Sequence, residues 1–284
     1  MNSGQRAAGS RPSIAQTTLR IFELSLGEML WARRTLFMAV LVAAPILLAI
    51  IARVAFADGI AVIRINGARL GGDGAGAGMF GTMIGALYLR FILPALGVFY
   101  GTALIADEVE DKTITYLFTR PIARGAIVLG KYLAYLVCAT SVVLPSVTIA
   151  FLLVVPFPDM GAAFGRLVGN LGVLAIGLAA YGALFLLAGV ALKRPLVGGL
   201  VFAFGWESIA LVMPGYLKFL TIAYYLQSLA PQAMPADDTP SLFQAAPQAG
   251  PSVATSLICL LFITVTALIL AMRTVERREY VLEQ

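Results

Sequence analysis

No histidine occurs anywhere in this chain. The commonest general base near neutral pH, and the commonest metal ligand, is therefore missing. Cysteine is nearly as scarce. Cys138 and Cys259 stand far apart with no CxxC neighbour, so neither a zinc site nor a structural disulfide is expected, and both read as small apolar residues. Charge is the third shortage: 12% of the residues are charged, against about 25% in a soluble domain. The start of the chain has no short apolar core, so a cleaved signal peptide is not expected. No segment between the apolar runs is large enough for a folded enzyme domain.

Apolar sequence takes the place of these missing groups. Of the 284 residues, 60% are hydrophobic, and the mean hydropathy is +0.91. Such a chain calls for a bilayer, where one helical crossing takes roughly 20 apolar residues. Six runs qualify by composition, at about 35–57, 79–106, 127–156, 167–192, 195–213 and 253–272. Thr35–Ala52 and Leu167–Leu192 hold no charge at all, and Arg90 and Glu207 are the charges enclosed within the second and fifth runs. The expected fold is an all-α integral membrane protein with six transmembrane helices, one domain over 13–284, and a disordered stretch at 1–12.

Orientation follows from lysine and arginine. Of the 20 basic residues, all but Arg53, Arg64, Arg69, Arg90, Arg166 and Lys218 fall in 1–34, 107–131, 193–194 and 273–284. The positive-inside rule then puts both termini in the cytoplasm of a plasma (bacterial inner) membrane. The net charge of +5 is a topology signal. A nucleic-acid surface would cluster basic residues with aromatic ones on a soluble face, and no such cluster exists, so no nucleic-acid partner is expected.

One motif invites a different reading. Gly125-Ala-Ile-Val-Leu-Gly-Lys131 has the spacing that opens a P-loop. A working P-loop follows a buried strand, cradles phosphates on loop N–H groups, and follows its lysine with a magnesium-binding Ser or Thr. Here Tyr132 follows the lysine, the intervening residues are aliphatic, and a Pro-containing turn comes before. No nucleotide, metal or other cofactor is expected on this chain. Lys131, at the inner end of the third run, is expected to snorkel to the interface.

The stretch before it carries more information. Val109, Thr113, Tyr116 and Leu117 recur on one face of a helix. Asp107, Glu108, Glu110 and Asp111 crowd its expected start, where negative charge suits the dipole, and Pro121 ends it. A short amphipathic helix at the inner membrane surface is therefore expected between spans two and three. Ahead of span one, Ile14, Thr17, Thr18, Ile21, Phe22, Leu24 and Ser25 suggest a second amphipathic helix, lying in the interface.

The segment from Asp107 to Lys131 resembles the signature region of the permease subunits of ABC-2 type ABC transporters. Glu108 and Glu110, Thr113, Tyr116 to Thr119, Pro121-Ile-Ala-Arg124 and Gly130-Lys131 match its elements, while Lys112 departs where the family has glycine. The resemblance implies a permease, usually an exporter, working with a second permease subunit as homodimer or heterodimer. A separate cytoplasmic ABC ATPase would hold ATP and magnesium, so this chain would not itself be an enzyme. It also implies that the first helix is an elbow and the short inner one a coupling helix, with Glu108, Glu110, Thr113, Pro121 and Arg124 as the residues that contact the ATPase.

Arg90 and Glu207 are costly where they lie, since a charge within a span costs about 2.5–3.5 kcal/mol on insertion scales. They either line a path or gate, or pair with each other to join helices. Gly81-x-x-x-Gly85, Gly97-x-x-x-Gly101 and Gly165-x-x-x-Gly169 permit close helix approach, and Pro94 and Pro145 should kink spans two and three. The Gly-rich run Gly71–Gly78 reads as a flexible outer loop, and Tyr216 to Leu226 as an interfacial helix. A membrane enzyme would need convergent catalytic groups that the sequence does not offer. An ATP-independent ion-coupled carrier would need paired intramembrane acids, for which Glu207 alone stands; a membrane scaffold is the other alternative.

Overall fold

The computed structural model describes residues 14–31, 33–57, 63–65, 68–70, 75–110, 124–212, 216–230 and 251–277. Nearly all of them are helical. α1 is Ile14–Trp31 and α2 is Arg33–Ala57. A long run then begins with α3, Ala75–Thr82, and continues through a π-helical stretch, Met83–Ile92, to α4, Leu93–Leu96. It goes on through a second π-helical stretch, Gly97–Gly101, into α5, Ala103–Glu110. α6 is Arg124–Val154 and α7 is Met160–Ala191. α8, Pro195–Leu200, runs through π-helical Val201–Trp206 into α9, Glu207–Val212. The eight-residue α10, Ile222–Leu229, and α11, Val253–Arg277, complete the order.

Among the described residues, four helices are long and apolar enough to cross a membrane: Gly78–Ala106, Gly125–Val154, Phe157–Ala191 and Val253–Arg277. The first and fifth runs of the sequence form the shorter apolar helices Met38–Val54 and Pro195–Ala210. Four of the six expected spans are thus matched among the described residues, and the first and fifth runs lie in α2 and in α8–α9.

α6 and α7 form the centre, with α1, α2 and α11 against α6, and α11 and the Gly97–Gly101 stretch against α7. Lipid tails are as apolar as leucine, so packing and interhelical hydrogen bonds hold such a bundle together, with little help from water exclusion. Both devices are present. Gly97 and Gly101 lie against Tyr181 and Phe185 of α7, and Gly189 meets the backbone of Thr102 directly. The Gly97–Gly101 pair is thus a real seam, whereas Gly165 and Gly169 face open space within the chain. Tyrosines supply the hydrogen bonds. The Tyr132 hydroxyl donates to Ala179 O at 2.9 Å, and Tyr135 to Leu178 O at 3.3 Å. Tyr88 and Ser146 share a bond of 2.7 Å, and Ser146 also donates to Val42 O at 3.2 Å, which joins α2, α6 and the Met83–Ile92 stretch.

Pro94 lies between the two π-helical stretches. The widened turns are visible at Leu93, whose N–H reaches back five residues to Tyr88 O, a pattern frequent at functional sites. Two expectations about the polar segments change. Residues 63–65 and 68–70 pair as an antiparallel hairpin in the register Ile63↔Leu70, Arg64↔Arg69 and Ile65↔Ala68. Asn66-Gly67, the pair that favours a tight hairpin turn, connects the strands. The Gly-rich run is not all loop either, because α3 begins at Ala75. A side chain on Gly76 would come within 2.5 Å of Val154 O, and only glycine permits that approach.

We call the end of the bundle that carries α1 and the boundaries of segment 111–123 proximal, and the end with the 155–159 turn distal.

Candidate functional site

Among the described residues, two buried charged side chains, Lys131 and Glu207, each centre a polar cluster within the bundle. The proximal one centres on Lys131. Its side chain is buried, 8% exposed, and Nζ donates to Leu104 O at 3.0 Å. The expected snorkelling to the interface does not occur, because α5 passes close enough for its backbone carbonyl to take the ammonium. Gly130, beside it, lets α1 approach: a Cβ there would sit 2.9 Å from both Ile21 Cγ2 and Thr18 O. Gly130-Lys131 therefore ties together α1, α5 and α6. The whole Gly125–Lys131 spacing lies inside α6, so the N–H groups of its later residues point along the helix and form no loop cradle.

Three of the coupling residues expected from the sequence, Glu108, Glu110 and Arg124, fall in described helices. Asp107, Glu108 and Glu110 continue α5, the helix of the second span, and do not open a separate one as the dipole argument suggested. Arg124 is the first residue of α6. The side chains of Glu108, Glu110 and Arg124, together with Thr113 and Pro121 and the rest of 111–123, lie outside the described residues.

The second cluster is built around Glu207, which the sequence singled out. It opens α9, directly after the π-helical turns of Val201–Trp206. Trp206 and Ile209 are exposed, but Glu207 is turned inward and is 3% exposed. The Tyr181 hydroxyl of α7 donates to Glu207 Oε2, and the Ile222 N–H donates to Oε1 at 3.2 Å. The Ala223 N–H also faces the carboxyl group. Ile222 and Ala223 begin α10, whose first N–H groups have no partner within the helix. Glu207 therefore caps a short helix from a different part of the chain, at its positive end.

Arg90 is not among these partners. It is exposed on the Met83–Ile92 stretch, and no described hydrogen bond or ion pair joins it to Glu207. A ring contact between the neighbouring Phe91 and Phe204, 5.7 Å between centroids, does link the second and fifth runs.

The comparison with known families decides the identity. The family described as "ABC-2 family transporter protein" matches residues 19–280. The chain belongs to the ABC-2 transporter family. It is an integral membrane protein, by this family and by its apolar helices. It is also similar to a protein named "Probable ABC transporter permease protein NosY" from Pseudomonas aeruginosa. The two are 33% identical over 98 residues, which cover 31% of this chain and 36% of that protein. The match thus spans about a third of the relative's length.

Within this ABC-2 chain, sequence reasoning missed Tyr181, and it took the helix expected over Tyr216 to Leu226 as continuous and interfacial, whereas the chain breaks at Thr221 and α10 buries Ile222 and Leu226. Tyr181 sits in an otherwise apolar run and gave no signal of its own. α10 left a trace at Thr221, a polar residue between Leu220 and Ile222 that breaks the helix with φ −110° and ψ 140°.

Proposed function

We propose that this chain is the transmembrane permease subunit of an ABC transporter, one that exports its substrate with ATP hydrolysed on a separate subunit. The observation that carries the reading is the family match over residues 19–280, and the name of the similar NosY protein agrees with it. In this reading Met38–Val54 and Pro195–Ala210 complete a set of six spans. α1, packed on α6 at Gly130, is the elbow helix, and segment 111–123 holds the coupling helix. The proximal end is cytoplasmic, with both termini. It receives an ABC ATPase that carries ATP and magnesium, and a second permease subunit completes the path. Lys131 supports the mechanism physically: it ties the helices on either side of 111–123 to each other, so a push on that segment would move spans two and three together.

Co-purification tests the reading. The chain, tagged at Gln284, is expressed in membranes with its cognate ABC ATPase, alongside Glu108→Arg and Arg124→Glu. The expected result is that the ATPase accompanies wild type and is lost from both reversals. Absence of any ATPase from wild type in nanodiscs would remove the reading. Retention by both reversals would move the docking surface away from this segment.

A further inference from the structure

Arg90 is the charge that the fold of this chain leaves unanswered. It stands midway along the second run, between Gly76 and Leu104. Gly76 lies against Val154 and Val155 at the distal turn, and Leu104 accepts from Lys131 near the proximal end. The neighbours of Arg90 fix the same depth. Tyr88 bonds Ser146 inside α6, and a Cβ on Gly177, about halfway along the 32 residues of α7, would meet the Leu93 side chain. Yet Arg90 lies on the outside of the chain. Ala86 and Phe91 are exposed beside it, while Tyr88, Leu89 and Ile92 are buried.

An arginine near the end of a span can snorkel to the headgroups. At about 1.5 Å per residue, Arg90 is on the order of 20 Å of helix from either end, too far for one side chain. No counter-ion compensates. Arg90 has no hydrogen bond or ion pair among the described residues. Away from the two ends, the described helices hold one carboxylate, Glu207. It is buried and already accepts from Tyr181 and Ile222. A second copy of this chain would bring the same residues, so it offers no free carboxylate at that depth either. A charge in a membrane that neither pairs nor reaches the headgroups faces a water-filled cavity or a polar ligand.

The surroundings of Arg90 suit such a ligand. Gly78, Thr82, Ala86 and Arg90 recur on one face of the run, with Gly78 and Ala86 exposed and Thr82 half-buried. A Cβ on Gly78 would meet nothing within 4 Å. Small side chains thus leave this face open from the distal end down to the guanidinium. A guanidinium presents five N–H donors in a planar fork that matches an oxyanion bidentately. Phe91, packed on Phe204 of the fifth run, adds apolar surface next to it.

We infer that Arg90 is an anion-binding group of the transport path, on a face that the second subunit closes, and that the substrate carries an oxyanion. The inference rests on the permease reading above and adds the substrate's chemical class. The oxyanion is free or carried on an apolar body, and the probes below distinguish the two.

The test uses the permease–ATPase complex in phosphatidylcholine nanodiscs, with Cys138→Ala and Cys259→Ala, and with Ala86→Cys as a reporter one turn from Arg90. Two methanethiosulfonates of similar size are reacted with it, the anionic sulfonatoethyl and the cationic trimethylammonioethyl reagents. The thiolate is the reacting species, so modification reports water at this position. Both reagents are expected to react, the anionic one faster. Arg90→Gln is expected to lower the anionic-to-cationic rate ratio about tenfold, the effect of removing one unit charge about 6 Å from each reagent in water. Arg90→Lys keeps the charge and should keep the ratio. Inorganic phosphate and dodecyl phosphate are then tried as protectants, with dodecyltrimethylammonium as the control. Protection by a phosphate, lost in Arg90→Gln, is expected. Protection by inorganic phosphate makes the ligand a free oxyanion, and protection by dodecyl phosphate alone puts it on an apolar tail. No reaction with either reagent, at rest or with the ATPase trapped by vanadate, would overturn the inference and leave this face covered by lipid or by the second subunit. A ratio unchanged in Arg90→Gln, or no protection by either phosphate, would also overturn it. Should no ATPase accompany wild type, the permease reading fails. The rate ratio on the chain alone then still decides whether Arg90 faces water and attracts anions.

Discussion

Gly189 and Gly165 lie on the same helix, α7, and replacing each by alanine is expected to move stability in opposite directions. Alanine gains about 0.5–1 kcal/mol over glycine in a helix interior at either position. At Gly165 nothing within the chain lies within 4 Å of the new methyl group, so the gain stands alone. At Gly189 the methyl would press on Thr102, with its carbonyl carbon and Cα at 3.0 Å and its oxygen nearer still. These are backbone atoms of a packed helix, with no flexible end to swing aside. Overpacking of this kind costs about 1–3 kcal/mol. The propensity gain is common to both variants, so their difference isolates the clash at about 1–3 kcal/mol. On the scaling for domains of 150–250 residues, that is a separation of roughly 2–12 °C in midpoint, with Gly189→Ala the lower. Thermal unfolding in one detergent, followed by fluorescence-detected size exclusion, measures it. Equal midpoints would refute the close seam between α7 and the second run. A lowered midpoint for Gly165→Ala would mean that a second subunit packs on that face.

Three further outcomes are expected. Lys131→Met should destabilise the chain by about 1–2 kcal/mol in detergent, the range for an interhelical hydrogen bond in model membrane peptides, and in the complex it should leave ATP hydrolysis less coupled to transport. A double-mutant cycle of Tyr88→Phe and Ser146→Ala should give a coupling of about 0.6–1.7 kcal/mol, and independent effects would dissolve the three-helix junction at Val42. Arg90→Gln should leave the isolated chain's unfolding midpoint within about 0.5 kcal/mol of wild type, because no described partner is lost, and a larger fall would reveal an intrachain contact for Arg90.

The spans were legible because lipid demands long apolar runs, and α6, α7 and α11 nearly cover the expected runs, extending past them by up to seven residues at one end. Glu207 stood out for the same reason, as a charge that needed a justification. What lay beyond the sequence was its partner. Arg90 shared its span depth and opposite charge, but the structure gives the carboxyl group a tyrosine hydroxyl and the N–H groups at the start of α10. Backbone donors are anonymous in a sequence, since every residue but proline carries one. Lys131 misled in a similar way. Lysine near a span end ordinarily extends toward the headgroups, and only the passage of α5 beside α6 supplies the carbonyl that keeps it inside. The helix expected over Tyr216 to Leu226 was present in part, but its break at Thr221 and the burial of α10 escaped, because eight residues give little periodic signal and their aromatic neighbours suit an interface equally well. The hairpin at 63–70 was readable in principle, from Asn66-Gly67 between two short alternating segments, but the glycines that follow drew the reading toward a loop.

The two anchors around α10 also fix the economics of the connection that follows it. Ala230 is tied back to Leu226, and Ser252 begins α11 by accepting from the Thr255 N–H at 3.1 Å. Each boundary of 231–252 is therefore set by its own local bonds, whatever length of chain runs between them. Doubling a connection whose ends are already held costs only about 0.6 kcal/mol in closure entropy. An epitope or a fluorescent domain inserted there would leave both helices in register and report from the distal face of a working protein.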